Sequence, residues 1–452
     1  MLAMSCYDDQ GNYTYHEPED PVVTGLVDQT FIGYVGDSLI VRPQVQHSLM
    51  GTDELTFEWE ISNHVKLRGE YYYGPNLRML FNLQPDTYSA KLTISNRSNG
   101  MKYFYHFKIE GRSEFSLGTL VLSNDGGVGR LSFFKAGELY ANIFEDLHGE
   151  NLPKNPQRLL ITDNYFLKSY QIITGEQNKP GVILDASTLL RIRNLEDNFF
   201  DKPAGVQAEA LITGPGGVST GIFNGKLYCG QWQTCGCNPI YGFYGGAAAG
   251  DYTLAPYFNF YGSHYLAYDR VLKRMVQFDI NMGYMGADYQ VIPMTQGDVF
   301  DPKNMDVDLI GLMNINSETT YAFGKADDGT IYEYKFQDVP GVFFVKDFRE
   351  FVGADLIRED TQWQASLLEI IYFTSDDKIY RYNPVNQDLR ALDADFGGKK
   401  VTMIKLLNDD DLVAGTEGKL HYLDVSVGQY GVETKVIDNI PGYPVDVVVR
   451  KQ

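Results

Sequence analysis

Three cysteines, Cys229, Cys235 and Cys237, stand close together in the chain. A thiolate can ligate a metal, attack an electrophile or pair in a disulfide. Zinc takes about four nitrogen or sulfur ligands, but Cys-x5-Cys-x-Cys lacks the usual Cys-x2-Cys spacing, and the closest histidine is His264. No metal site is therefore assigned. Oxidising surroundings favour a disulfide that clips the loop, joining Cys229 to Cys235 or Cys237 and leaving one thiol over. Reducing surroundings would leave all three as thiols. The same stretch, Tyr228 to Tyr265, carries Trp232, Tyr241, Phe243, Tyr244, Tyr252 and Tyr257 beside the run Gly245-Gly246-Ala247-Ala248-Ala249-Gly250. Read for function, these rings form a surface that stacks on a ligand or docks on a partner protein. Read for structure, they are strand core beside a flexible loop.

Other candidate chemistry is thinner. Acidic runs recur at Asp327-Asp328-Gly329, Ser375-Asp376-Asp377, Asp393-Ala394-Asp395 and Asn408-Asp409-Asp410-Asp411. None completes a calcium loop, and Asp, Asn and Gly are what tight turns use in any case. The chain has no His-Glu-x-x-His and no Gly-x4-Gly-Lys-[Ser/Thr]. His148 and His264 read as structural. A pair of carboxylates could hydrolyse a glycoside, but 59 acidic residues hide any such pairing. The expectation is a protein that binds rather than an enzyme, with no catalytic residue, no metal and no cofactor.

The elements that must position these residues follow from composition and pattern. The 452 residues carry a formal charge of −21, and 44% are hydrophobic. Counterion release at phosphates needs clustered cations, so nucleic acid is not an expected partner, and an anionic membrane surface is disfavoured for the same reason. No run reaches the ~18 apolar residues of a spanning helix. With 45 Gly, 32 Tyr and 26 Phe the chain leans toward turn-rich β structure.

From residue 22 to 124, short runs alternate in period two. Leu55-Thr56-Phe57-Glu58-Trp59-Glu60-Ile61 puts Leu55, Phe57, Trp59 and Ile61 on one face and Glu58 and Glu60 on the other. Val35–Pro43, Thr87–Asn96 and Tyr103–Ile109 repeat the device. The spacing predicts an immunoglobulin-like sandwich, closed by Gly118–Ser123 and a hinge at Asn124-Asp125-Gly126-Gly127. Beyond it a turn residue, a polar residue, an aliphatic and an aromatic recur. The copies are Gly137–Tyr140, Gly225–Tyr228, Gly329–Tyr332, Asp377–Tyr380 and Gly418–Tyr422, with Ser263–Leu266 as a further one. A period near 40–50 residues predicts propeller blades, about seven of them, over residues 125–452. Thr188–Arg193 and Val345–Phe351 read as short helices or single turns.

The first residues, Met1-Leu2-Ala3-Met4-Ser5-Cys6, look like the end of a bacterial lipoprotein signal, and Glu17-Pro18-Glu19-Asp20-Pro21 reads as a tether. Cys6-Tyr7-Asp8-Asp9-Gln10-Gly11-Asn12-Tyr13-Thr14-Tyr15, together with the Trp59 strand pattern and the Gly118–Gly127 junction, resembles the PKD-like family of lipoproteins that accompany SusC/SusD-type outer-membrane nutrient importers. The resemblance implies an all-β chain: a lipidated tether over residues 1–21, a PKD/immunoglobulin-like sandwich over 22–124 and a β-propeller over 125–452. It further implies acylation at Cys6, with Asp8 and Asp9 directing the protein to the outer face of the outer membrane, held there only by its lipid. The expected partners are a SusC-like TonB-dependent barrel, a SusD-like lipoprotein and an oligomeric ligand, peptide slightly ahead of oligosaccharide. The alternative is a propeller glycoside hydrolase or lyase acting on a surface polysaccharide.

Overall fold

The computed structural model describes residues 20–47, 55–63, 68–83, 85–115, 117–163, 168–214, 217–231, 243–280 and 287–450. Cys6 and its neighbours, Trp232, Cys235, Cys237 and Tyr241 lie outside the described residues. The chain divides into two compact units, one ending at Glu114 and the other beginning at Phe115.

The N-terminal unit is all strand. One sheet runs Thr30–Tyr34, Lys102–Arg112, Thr87–Asn96, Leu55–Asn63, Arg68–Tyr73, with its first pair parallel and the rest antiparallel. Two short pairs, Ser38–Val41 with Leu77–Leu80 and Val22–Thr24 with Gln44–Gln46, complete the unit. The alternation explains the core: Leu55, Trp59 and Ile61 are buried with Leu92, Ile94 and Ile109. Trp59 is fully enclosed, donates its indole Nε1–H to the Gly74 carbonyl at 2.8 Å and meets the Phe107 ring edge-on at 5.8 Å. That bond answers the one polar atom the ring takes into the core, so its large apolar area is buried without an orphaned donor.

The second unit is a seven-bladed propeller among the described residues. Its innermost strands, for blades one to seven in this order, are Tyr443–Arg450, Pro156–Asp163, Ala208–Thr213, Leu254–Phe260, Asp308–Asn316, Trp363–Ala365 and Met403–Leu406. Each neighbours the next around a ring, and Tyr443–Arg450 meets both Pro156–Asp163 and Met403–Leu406, so the ring closes. Closure joins the two ends of the unit: Tyr443–Arg450 pairs antiparallel with Gly118–Asp125, the first strand of this unit. Gly118–Asp125 is thus a propeller strand, whereas the pattern alone had placed it last in the sandwich. Its run Thr119-Leu120-Val121-Leu122-Ser123 is buried throughout, as a strand sandwiched between neighbouring blades must be.

Hydrophobic clusters fill the gaps between blades. Val182 and Leu184 pack with Leu131 and Phe133, and Ile183 and Leu195 with Leu211 and Phe223. Val413 and Leu420 pack with Val121 and Val447 where the ring shuts. Each such side chain contributes about 1.5–3 kcal/mol by leaving water.

The recurring turn-aliphatic-aromatic unit has a structural reason. Third strands begin at Val128, Lys179, Lys226, Arg274, Ile331, Lys378 and Lys419, each after a tight hairpin. The hairpins need left-handed backbone, supplied by Gly329 (φ 91°), Gly418 (φ 78°) and even Asp376 (φ 51°). Two copies fall elsewhere in their blades: Gly137–Tyr140 enters an outermost strand and His264–Leu266 a second strand. Helix is scarce. Arg191–Asn194 and Val342–Glu350 are strands, correcting the helical reading of those stretches, and the described α-helix is Ile143–His148. There Gly149 closes the helix in left-handed conformation, and its N–H reaches the Glu145 carbonyl.

Candidate functional site

The aromatic stretch after Tyr228 resolves into separate roles. Tyr244 is 1% exposed, its hydroxyl paired with Ser219 at 2.6 Å and its ring set against Phe199 and Phe223 at 4.8 and 5.1 Å. Tyr252 is 3% exposed, stacks on Tyr289 at 5.2 Å and carries the Lys226 ammonium over its face at 4.1 Å. Burial lifts the phenol pKa of both far above the ordinary tyrosine value. These two are interblade core rather than a ligand surface: Tyr244 belongs to the cluster between blades two and three, and Tyr252, just before the strand Leu254–Phe260, to the one between blades three and four. Phe243 is half-buried and stacks on the exposed Phe200 at 4.5 Å. Cys229 is buried in the core between blades three and four.

Tyr257 also packs against an interblade cluster, that of blades four and five, but is only half-buried. It lines a cavity of about 390 Å³ on the propeller axis, to which all seven inner strands contribute. Around it stand Arg158, Glu209, Trp363, Gln364 and Asp446, with Glu359 and Gln362 on the approach to the sixth inner strand. Each inner strand supplies two or three of the lining residues.

The electrostatics of this cavity are mixed. Glu209 pairs with Arg270 at 2.9 Å. Asp446 binds the Lys405 ammonium at 2.7 Å through Oδ1 and accepts the Leu159 N–H at 2.8 Å through Oδ2. Among the described residues Arg158 and Glu359 have no ion-pair partner, and they approach the axis from different blades. Trp363 stacks on Phe323 at 4.6 Å, and Gly311 lies so close to its indole that an added Cβ would touch it at 3.4 Å. The ring is therefore held in place before any ligand arrives. None of the charged or carboxamide lining residues stands out in the sequence. The one available signal was position, an inner strand upstream of each turn-aromatic copy, and the short strand Trp363–Ala365 hides it.

Buried polar networks elsewhere hold blades together. His264 Nε2 meets Asp338 Oδ2 at 2.8 Å, Gln277 donates to the same carboxylate, and Tyr261 stacks on the imidazole at 5.3 Å. Burial raises the Asp338 pKa, and the histidine bond opposes that rise. Glu333, 2% exposed, accepts from Tyr382 at 2.5 Å and from Arg349 at 2.6 Å, with burial again raising its pKa. Within the last blade, His421 bridges Glu433 at 2.6 Å and Thr416 at 3.0 Å. His148 meets the Leu189 carbonyl at 3.1 Å.

The acidic runs are turns. Asp328 caps the Thr330 N–H at 2.9 Å, Asp395 that of Gly397 at 2.8 Å, and Asn408 those of Asp410 and Asp411, each at 2.8 Å. Among the described residues no group of three or more His, Cys, Asp and Glu side chains gathers as a metal site would require.

No curated protein matches the chain. Among solved structures it is similar to a quinoprotein alcohol dehydrogenase-like protein from Bacteroides thetaiotaomicron, at 15% identity over 95% of this chain and 99% of that one, with a TM-score of 0.48. It is also similar to a provisionally named 6-phosphogluconolactonase from Bacteroides fragilis, at 10% identity over 89% and 100%, with a TM-score of 0.40. A third, the extracellular domain of a hybrid two-component system from B. thetaiotaomicron, shares 8% identity over 80% and 55%, with a TM-score of 0.38. Family membership is shown for one part of the chain: residues 6–156 match the model of the PKD-like family, so a PKD-like family domain spans the sandwich and reaches the first blade.

Proposed function

We propose that this protein is a binding subunit: a lipid-anchored component of a SusC/SusD-like, TonB-dependent uptake complex on the outer face of the outer membrane. It would capture an oligomeric ligand and deliver it to the importer. The observation that carries the binding role is the axial cavity, where rigid aromatic rings, Trp363 and Tyr257, stand beside Gln362, Gln364, Arg158 and Glu359. Concave sites of this size, with preset apolar surface and a few converging polar groups, are the usual form of a ligand site. The separated charges of Arg158 and Glu359, without an ion-pair partner among the described residues, suit a peptide with its two charged ends better than a neutral glycan. The PKD-like domain and the lipoprotein-like start of the chain, with Cys6 as the acylated residue, support the importer assignment by resemblance.

For the glycosidase alternative, a general acid or nucleophile would have to come from Glu209, Glu359 or Asp446, and two of these already hold cationic partners. Binding without bond cleavage therefore remains the reading the cavity favours.

The test uses the chain with Cys6 intact, tagged and extracted from native outer membrane in mild detergent, with partners and trapped ligand read by mass spectrometry. Recovery of a TonB-dependent barrel and its lid lipoprotein, with peptide bound, is the expected result. Trp363→Ala should weaken capture of that peptide roughly tenfold or more, as loss of a buried aromatic anchor does. A protein that emerges alone from membranes, or that releases sugars from polysaccharide, would overturn the proposal.

A further inference from the structure

The five-stranded sheet of the N-terminal unit ends on the strand Arg68–Tyr73, which among the described residues pairs with Leu55–Asn63 and with no other strand. The phase of that pairing tells which main-chain groups it uses. Gly74 donates its N–H to the Phe57 carbonyl at 3.1 Å, and Glu58 stands opposite Tyr73. Hydrogen-bonded pairs alternate along an antiparallel ladder, so Tyr72 and Glu70 exchange bonds with Trp59 and Ile61. Gly69, Tyr71 and Tyr73 therefore turn their N–H and C=O groups away from the sheet, each offering a donor and an acceptor to another strand.

Sheet edges are ordinarily blunted by lysine, proline or a bulge. The run Gly69-Glu70-Tyr71-Tyr72-Tyr73 has no lysine and no proline, and its register against Leu55–Asn63 is unbroken. Its one charge, Glu70, lies on the core side with Tyr72, whose hydroxyl donates to it at 3.2 Å. On the opposite side Tyr71 is 51% exposed and Tyr73 73%. A Cβ added at Gly69 would meet the end of the Tyr71 ring at 3.0–3.1 Å, so that ring lies back over the glycine.

We infer that this edge is a self-association surface, on which a second copy of the chain lays its own Arg68–Tyr73 antiparallel about a two-fold axis through Tyr71. In that register Tyr71 faces the partner's Tyr71 and Gly69 faces the partner's Tyr73, so every outward N–H of one strand meets an outward C=O of the other. The side chains are self-complementary in the same register. The two Tyr71 rings lean in opposite directions, and each, lying over its own Gly69, meets the partner's Tyr73 in the space the glycine leaves. Charge permits the contact even though each chain carries −21. The exposed side of the strand bears no charge, Glu60 behind it is neutralised by Lys91 at 2.5 Å, and the two Leu55–Asn63 strands stand about 14 Å apart, beyond the ~8 Å over which salt screens. A two-fold contact of this kind closes on itself, so association stops at the dimer. The inference is independent of the axial site, because no residue of Arg68–Tyr73 lines that cavity.

The test is sedimentation equilibrium of the full chain under reducing conditions, so that no cysteine links two copies. A monomer–dimer equilibrium is expected, tightening with added salt because salt screens the net charge. Tyr71→Pro removes an N–H that the ladder with Leu55–Asn63 does not use, and Tyr71→Lys sets two ammonium groups face to face at the axis. Each should weaken the dimer about tenfold or more and keep the parent unfolding temperature to within a few degrees. Residue-resolved hydrogen exchange should slow on dimerisation at the amides of Gly69, Tyr71 and Tyr73 and stay unchanged at Glu70 and Tyr72, which are already bonded within the sheet. A chain still monomeric at millimolar concentration, a dimer as tight in Tyr71→Lys as in the parent, or protection that misses the alternate amides would each overturn the inference.

Discussion

Asp446 is where the propeller's closure can be weighed. It lies on the closing strand Tyr443–Arg450 and joins three blades through one carboxylate: its own, blade two through the Leu159 N–H at 2.8 Å, and blade seven through Lys405 at 2.7 Å. Its side chain is 11% exposed and that of Lys405 30%. Asp446→Ala would leave the buried Leu159 N–H without an acceptor, which costs about 1–3 kcal/mol. The ammonium can partly recover water, so loss of its bond adds only about 1 kcal/mol. A central value of about 3 kcal/mol corresponds to about a hundredfold change in an opening equilibrium. Hydrogen exchange of the whole chain reads this directly, because amides of Tyr443–Arg450 and of its partner Gly118–Asp125 report opening of the closure. They should exchange about a hundredfold faster in Asp446→Ala. In Asp446→Asn, which keeps an acceptor for Leu159 but loses the charge, the increase should be about fivefold. Amides of the sandwich should not change. Closing-strand exchange at the parent rate in Asp446→Ala would refute the claim that this carboxylate latches the ring.

Three further outcomes are expected. Trp59→Ala removes a fully buried ring and its bond to Gly74, so calorimetry of the whole chain should show the sandwich transition destabilised by about 3–5 kcal/mol; an unmoved transition would count against Trp59 as the centre of that core. Tyr244→Phe should cost about 1 kcal/mol in urea unfolding, through the Ser219 bond, and leave ligand affinity alone. A loss of affinity would return Tyr244 to the binding surface. Burial raises the folded pKa of Glu196 above the ordinary 4.5, so the folded chain holds its proton more tightly than the unfolded one. The protonated form is the better tolerated one. Relative to Glu196→Gln, the parent should therefore lose stability as pH rises from below 4.5 through the raised value, and parallel pH profiles for the two would dismiss the burial argument.

What the sequence by itself determined is the periodic part of the molecule. The two-residue alternation around Trp59 dictates a half-buried strand, and the spaced turn-aromatic copies dictate small antiparallel sheets, because both patterns rest on contacts a few residues apart. The copy at Gly329–Tyr332 is legible since a hairpin with left-handed backbone demands Gly, Asn or Asp at the corner. Only the tertiary structure decided which rings are core alone and which also line the axial cavity. Tyr244, Tyr252 and Tyr257 look alike in the chain and all pack against interblade clusters, yet of the three it is Tyr257 that also borders the axial cavity. That difference depends on Tyr257 lying on the inner strand Leu254–Phe260, whereas Tyr252 precedes it and Tyr244 lies on a short separate pair, and which strand is innermost is set by partners far away. The same holds for Gly118–Asp125, whose assignment to the propeller depends on a strand more than three hundred residues later. The axial cavity belongs to this second class: seven separate strands build it, so no local run of residues could announce it.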